Sequence, residues 1–115
     1  MNDKLKQIAD HYGLEVQVAK LAEECAEFSA SNHKVLYYHC LLDDPNPTRV
    51  SKAIVREQFE TAREQNAEEL ADALLVAKQV EYLIEGYPEL KEKIDKLMEA
   101  KIERQLKRME EEKAK

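Results

Sequence analysis

The chain reads as an all-α protein, a single domain over residues 1–115 built as a four- to five-helix bundle. Three observations lead there. Only two glycines and three prolines punctuate 115 residues. Apolar residues recur at three- and four-residue spacing over long stretches. No run of β-branched residues alternates as a strand would, and turn formers cluster at a few places only.

Between Asp3 and Tyr12, Leu5, Ile8, Ala9 and Tyr12 fall at helical spacing, and Gly13 follows where a left-handed residue ends a helix. The second helix runs from Leu14 to about Tyr38. Its apolar stripe is Leu14, Val18, Leu21, Cys25 and Phe28, with Glu24 at the edge of that stripe and Glu27 one step further round. Asp43-Asp44-Pro45-Asn46-Pro47 breaks it, because two prolines that lack a backbone donor flank an asparagine suited to a turn.

Thr48 is placed to cap a third helix through Val50, Ala53, Ile54 and Phe59. Asn66 with Glu69 three residues later has the form of a capping box, so a break at 64–66 stands beside a continuous helix as an expectation. From Ala67 to Glu85 the main stripe is Leu70, Ala73, Ala77, Val80 and Ile84, with Val76 and Leu83 widening it on the side where Glu69 and Asp72 project. Gly86-Tyr87-Pro88 closes this helix. A last one runs from Glu89 through Ile94, Met98, Ile102, Leu106 and Met109 into a charged end that frays.

Composition narrows the function classes. A net charge of −6 with 37% charged residues argues against a general binder of nucleic-acid backbones, which needs an uncompensated basic face. The first residues lack an apolar signal core, and no stretch approaches the ~20 apolar residues of a membrane span, so a cytoplasmic protein without membrane attachment is expected. Cys25 and Cys40 form no spaced framework and read as reduced thiols. A zinc site from Cys25, His33, His39 and Cys40 is disfavoured, since neither a C-x₂-C nor a paired-histidine spacing is present.

The chemistry-bearing stretch is Lys20-Leu21-Ala22-Glu23-Glu24-Cys25-Ala26-Glu27-Phe28, with Glu68-Glu69-Leu70-Ala71-Asp72 as its downstream counterpart. Carboxylates three residues apart are common in a glutamate-rich chain, and Glu57/Glu60, Glu89/Glu92 and Glu92/Asp95 share that spacing. Glu24/Glu27 and Glu69/Asp72 differ in lying within or beside broad apolar faces. Ionised carboxylates there cost several kcal/mol each unless a cation or hydrogen bonds compensate. Lys20, Lys78 or Lys101 is one source of compensation. Where two such helices face each other, four carboxylates converge and a divalent metal becomes the natural counter-ion. Oxygen-only ligands select Mg²⁺, or Mn²⁺, and Mg²⁺ keeps waters and binds substrate phosphates.

The order Tyr12-Gly13-Leu14-Glu15 with Gln17, then Lys20-Leu21 and Glu23-Glu24-Cys25-Ala26-Glu27, then Glu68-Glu69-Leu70-Ala71-Asp72, resembles the MazG-like all-α nucleoside triphosphate pyrophosphohydrolases. The resemblance covers residues 5–110, and the ending Lys101-Ile102-Glu103-Arg104-Gln105-Leu106-Lys107-Arg108 is similar too. It implies Mg²⁺ held by Glu24, Glu27, Glu69 and Asp72, with Glu23 and Glu68 as register-adjacent alternatives. It also implies conversion of an NTP or dNTP to the monophosphate plus pyrophosphate, in a homodimer or homotetramer. The segment 48–64 departs from the compact pattern and looks inserted.

On this expectation Glu23 or Glu27 orients or deprotonates the attacking water. Lys101, Arg104 and Arg108, at i, i+3 and i+7 of the last helix, are candidate phosphate ligands, and the other reading of them is an ordinary solvated face. Tyr37, Tyr38 and Phe59 read first as core aromatics and second as a stacking surface for a base. A different class of function stays open: a helical oligomerisation or interaction module whose carboxylates form structural ion pairs, with the last helix as a coiled-coil arm. Apolar steps of four rather than a heptad weaken that arm.

Overall fold

The computed structural model describes residues 2–45 and 51–115, and its regular structure is helical throughout: α1 (Asn2–Tyr12), α2 (Leu14–Asp43), α3 (Lys52–Ile84) and α4 (Pro88–Lys113). The all-α expectation holds. Gly13 sits at φ 85°, in the left-handed region that a side chain would strain, and joins α1 directly to α2. Its N–H bonds the Ala9 carbonyl at 2.8 Å and its carbonyl accepts from Gln17, so one residue satisfies a carbonyl at the end of α1 and an N–H at the start of α2.

α2 and α3 are the body of the molecule, packed against each other along much of their lengths. The less exposed residues of α2 include Leu14, Gln17, Leu21, Glu24, Phe28, Ser31, Val35, Tyr38 and Leu42. Those of α3 include Val55, Phe59, Ala62, Asn66, Glu69, Ala73, Val76, Val80 and Leu83. Each series alternates steps of three and four, the heptad seam of a two-helix coiled coil. Gln17, near the start of α2, donates a buried hydrogen bond to Gln79, near the end of α3, while Lys52 at the start of α3 reaches Leu41 and Leu42 at the end of α2, so the pair is antiparallel.

This seam corrects several sequence expectations. On α2 it is rotated from the apolar stripe toward the glutamates: Val18 and Cys25 are exposed, and Glu24 lies in the seam instead of at its edge. On α3 Leu70 is exposed while Val76 joins the core. Asn66 and Glu69 do not form a capping box. Both lie inside an uninterrupted α3, so no break occurs at 64–66. Thr48 lies outside the described residues, and Ser51 precedes the first turn of α3. The part of segment 48–64 that the structure describes lengthens α3, and α2 correspondingly continues past Tyr38 to Asp43.

Lys52 ties the far end together. Its ammonium donates to the carbonyls of Leu41, Leu42 and Asp44 at 2.7–2.9 Å, satisfying groups that the end of α2 leaves unpaired and meeting the negative pole of its dipole. At the opposite end α1 packs on α3 through buried Ala9, and the Tyr82 hydroxyl bonds both carboxylate oxygens of Asp10 at 3.0 Å.

α4 stands apart. It touches α3 but neither α1 nor α2, and none of its residues is buried. Leu90, Leu97, Met98, Ile102, Leu106 and Met109 are all at least 40% exposed. The Cα radius of gyration is 19.7 Å, against about 13 Å for a compact chain of this length. No helix among the described residues is long and apolar enough to cross a membrane.

Candidate functional site

The antiparallel register that sets Gln17 against Gln79 also sets Glu24 of α2 against Glu69 and Asp72 of α3. These three offer one carboxylate oxygen each, all within 4.8 Å of one another. Glu24 is buried, Glu69 half-buried and Asp72 exposed, so the group opens from the helix seam toward solvent. Positions 69 and 72 lie one turn apart on α3, which places both carboxylates on one side of the pair.

Partners are scarce inside this group. Lys20, one turn before Glu24, holds Glu24 Oε1 at 3.0 Å and reaches Glu23 at 3.8 Å. The Lys20 pKa is raised, first by the hydrogen bond to Glu24 and then by the charge of Glu23. The second oxygens, Glu24 Oε2 and Glu69 Oε2, are buried with no hydrogen-bond partner, and so is Asn66 Oδ1 in the same seam. A buried oxygen carrying part of a negative charge without a donor is the environment a cation relieves.

Of the four metal ligands expected from sequence, three converge. Glu27 lies outside the tight group, on the exposed rim. It still feels the cluster: its carboxyl is pushed above the usual range, first by the negative charge of Glu24, then by burial, then by Glu69 and Glu23, with Lys20 opposing. Glu23 points into solvent beside Lys20 with its side chain 60% exposed. The ion-pair reading of the carboxylates is met in part, since Lys20 binds one Glu24 oxygen, but a single ammonium leaves Glu24 Oε2 and Glu69 Oε2 uncompensated.

The structure does not bring the expected phosphate ligands to this group. Lys101, Arg104 and Arg108 line a shallow depression with Gln105 on α4 alone. Sequence reasoning underrated Gln17, Gln79 and Asn66, polar residues buried or half-buried between α2 and α3; a heptad template laid over α2 and α3 marks Gln17 and Asn66. No protein-family model, no curated protein and no solved structure matches this chain.

Proposed function

We propose that the chain is a Mg²⁺-dependent nucleoside triphosphate pyrophosphohydrolase, cleaving an NTP or dNTP to the monophosphate and pyrophosphate, as a homo-oligomer in the cytoplasm. One observation carries this reading: Glu24, Glu69 and Asp72 converge on a shared space with two buried carboxylate oxygens unpaired. The donor set fits the ion. All its atoms are hard oxygens, three carboxylates exceed the single charge of Lys20, and the open side leaves room for waters and phosphates.

Glu24, Glu69 and Asp72 would hold the ion, with Glu27 at the rim. When bound, Mg²⁺ supplies charge neutralisation on the phosphoryl oxygens and a fixed orientation for the substrate. Glu27 serves as the base. It lies on the exposed rim beside the converging carboxylates and is not committed to the tight group. It takes a proton from the water that attacks the α-phosphorus as the bond to the bridging oxygen breaks and pyrophosphate leaves. Glu23, drawn toward Lys20, is the weaker candidate for this role.

A screen of nucleoside triphosphates with Mg²⁺, read by chromatography of the products, tests the reading. Monophosphate with intact pyrophosphate supports it. Diphosphate with orthophosphate, or no turnover of any triphosphate, sinks it. A second reading is favoured by a separate observation, the wholly unburied apolar face of α4: a helical interaction module with structural ion pairs. That reading expects no Mg²⁺-linked stabilisation and no turnover.

A further inference from the structure

Among the described residues Lys20 is the one cation in contact with the carboxylate group, and it holds Glu24 loosely. A lysine four residues before a glutamate is the weaker of the two orders such a pair can take on a helix, since each charge then lies toward the less favourable end of the dipole. The Lys20 side chain is 47% exposed, so water competes for its ammonium. It also divides itself between Glu24 at 3.0 Å and Glu23 at 3.8 Å. Glu24, by contrast, is 6% exposed and keeps Oε2 unpaired even with the ammonium in place.

A loaded site asks something different of this lysine. A divalent ion among Glu24, Glu69 and Asp72 puts a second positive charge on the carboxylate that Lys20 holds, and two cations so close repel. Three carboxylates against Mg²⁺ still leave one negative charge, and Glu23 and Glu27 add theirs on the exposed side. A polyphosphate approaching from that side meets the excess unless a protein cation turns toward it. Lys101, Arg104 and Arg108 line α4 alone and do not fill this role within the chain. Lys20 is placed to do so. It stands one turn from Glu24, about 6 Å along the axis, and a lysine carries its compact charge and three donors on a flexible stem.

We propose that Lys20 is the counter-ion of the empty site and the phosphate ligand of the loaded one: it gives up Glu24 when a divalent ion is bound and turns its ammonium to a phosphate oxygen of the substrate. The inference rests on the reading of the carboxylate group as a metal and triphosphate site. It adds to that reading the protein cation that the sequence led one to expect on α4.

Calorimetry on the full chain tests the two halves separately, with Mg²⁺ alone and then with inorganic pyrophosphate at saturating Mg²⁺. Lys20→Met keeps most of the side-chain length and removes its charge. It should bind Mg²⁺ roughly three- to tenfold more tightly than wild type, because a competing positive charge is gone. It should bind pyrophosphate at least about tenfold more weakly, as loss of a charged hydrogen bond predicts. Lys20→Arg, which keeps the charge, should hold pyrophosphate within about threefold of wild type. Loss of a merely structural ion pair weakens both ligands or neither. Mg²⁺ binding that is weaker or unchanged in Lys20→Met overturns the counter-ion role, and unchanged pyrophosphate binding overturns the phosphate role. The expected response in both titrations without turnover of any triphosphate upholds Lys20 and sinks the pyrophosphohydrolase. A wild-type chain that binds no Mg²⁺ sinks both.

Discussion

Glu24 and Glu69, on facing helices, each bring a carboxylate oxygen to within 4.8 Å of the other, and each leaves Oε2 buried without a donor. Two like charges so placed repel, and the repulsion is part of the native state until a cation enters. Glu69→Gln is therefore expected to leave the metal-free protein as stable as wild type or more so, by up to about 1 kcal/mol, while abolishing stabilisation by Mg²⁺. Glu24→Gln should behave alike, less the small contribution of the Lys20 pair. Wild type at a hundredfold excess of Mg²⁺ over its dissociation constant should gain about 2.7 kcal/mol. Urea denaturation with and without Mg²⁺ measures both. Metal-free wild type more stable than both variants, with no Mg²⁺ response, rules the arrangement out.

The elevated carboxyl of Glu27 gives this stability a pH dependence. Between its ordinary value in the unfolded chain and its raised value in the folded one, the folded protein keeps a proton that the unfolded chain has released. The stability contributed by Glu27 is thus complete below the ordinary value and lost as pH rises through the folded one. Glu27→Gln removes the titration. The variant should match wild type in acid and exceed it increasingly toward neutral pH, in denaturation curves recorded without divalent ions. Parallel curves across that range would show that Glu27 does not sense Glu24.

Helix class and the breaks at Gly13 and at Gly86-Tyr87-Pro88 were legible in the sequence because each depends on local chemistry. The rotation of the seam was not. A 100° stripe drawn through the most apolar side chains of α2 selects Val18 and Cys25, whereas packing against α3 follows a 3.5-residue period and places Gln17 and Glu24 inside. Polar residues in a seam are invisible to a hydrophobicity count and become readable only when two helices are aligned in register. Asn66 misled for the same reason: an asparagine three residues before a glutamate looks like a cap, but here both belong to the seam.

Lys52 offers a test of how the α2–α3 pair is closed. Three carbonyl oxygens depend on its ammonium, so Lys52→Met, which keeps most of the side-chain length, should destabilise the protein by about 1–2 kcal/mol. Hydrogen exchange should report the loss in the last turn of α2 before it appears elsewhere. A change below about 0.3 kcal/mol would mean that water replaces the ammonium without loss.

The exposed face of α4 predicts association. Leu97, Met98, Ile102 and Leu106 present an apolar strip that no described residue buries, and the extents of 59 × 44 × 22 Å are those of an open body. Light scattering should give a multiple of 13.4 kDa at micromolar concentration. Ile102→Asp, on a helix that contributes nothing buried within the chain, should lower that mass while α1 to α3 stay folded by circular dichroism. A wild-type particle of 13.4 kDa contradicts the prediction outright.

The division of labour between Glu23 and Glu27 decides which atom receives the water. If Glu27 is the base, Glu27→Gln should lower kcat by roughly 10²–10⁴, whereas Glu23→Gln, whose carboxylate lies toward Lys20 and solvent, should stay within about threefold. Hydrolysis in ¹⁸O-labelled water adds a readout that a merely structural role would not move. Attack at the α-phosphorus leaves the label in the monophosphate and none in pyrophosphate. Label in pyrophosphate means attack at the β-phosphorus, and a base placed to serve that geometry instead. Loss of activity in Glu23→Gln with retention in Glu27→Gln would exchange the two roles, and would imply that Lys20 releases Glu23 when substrate binds.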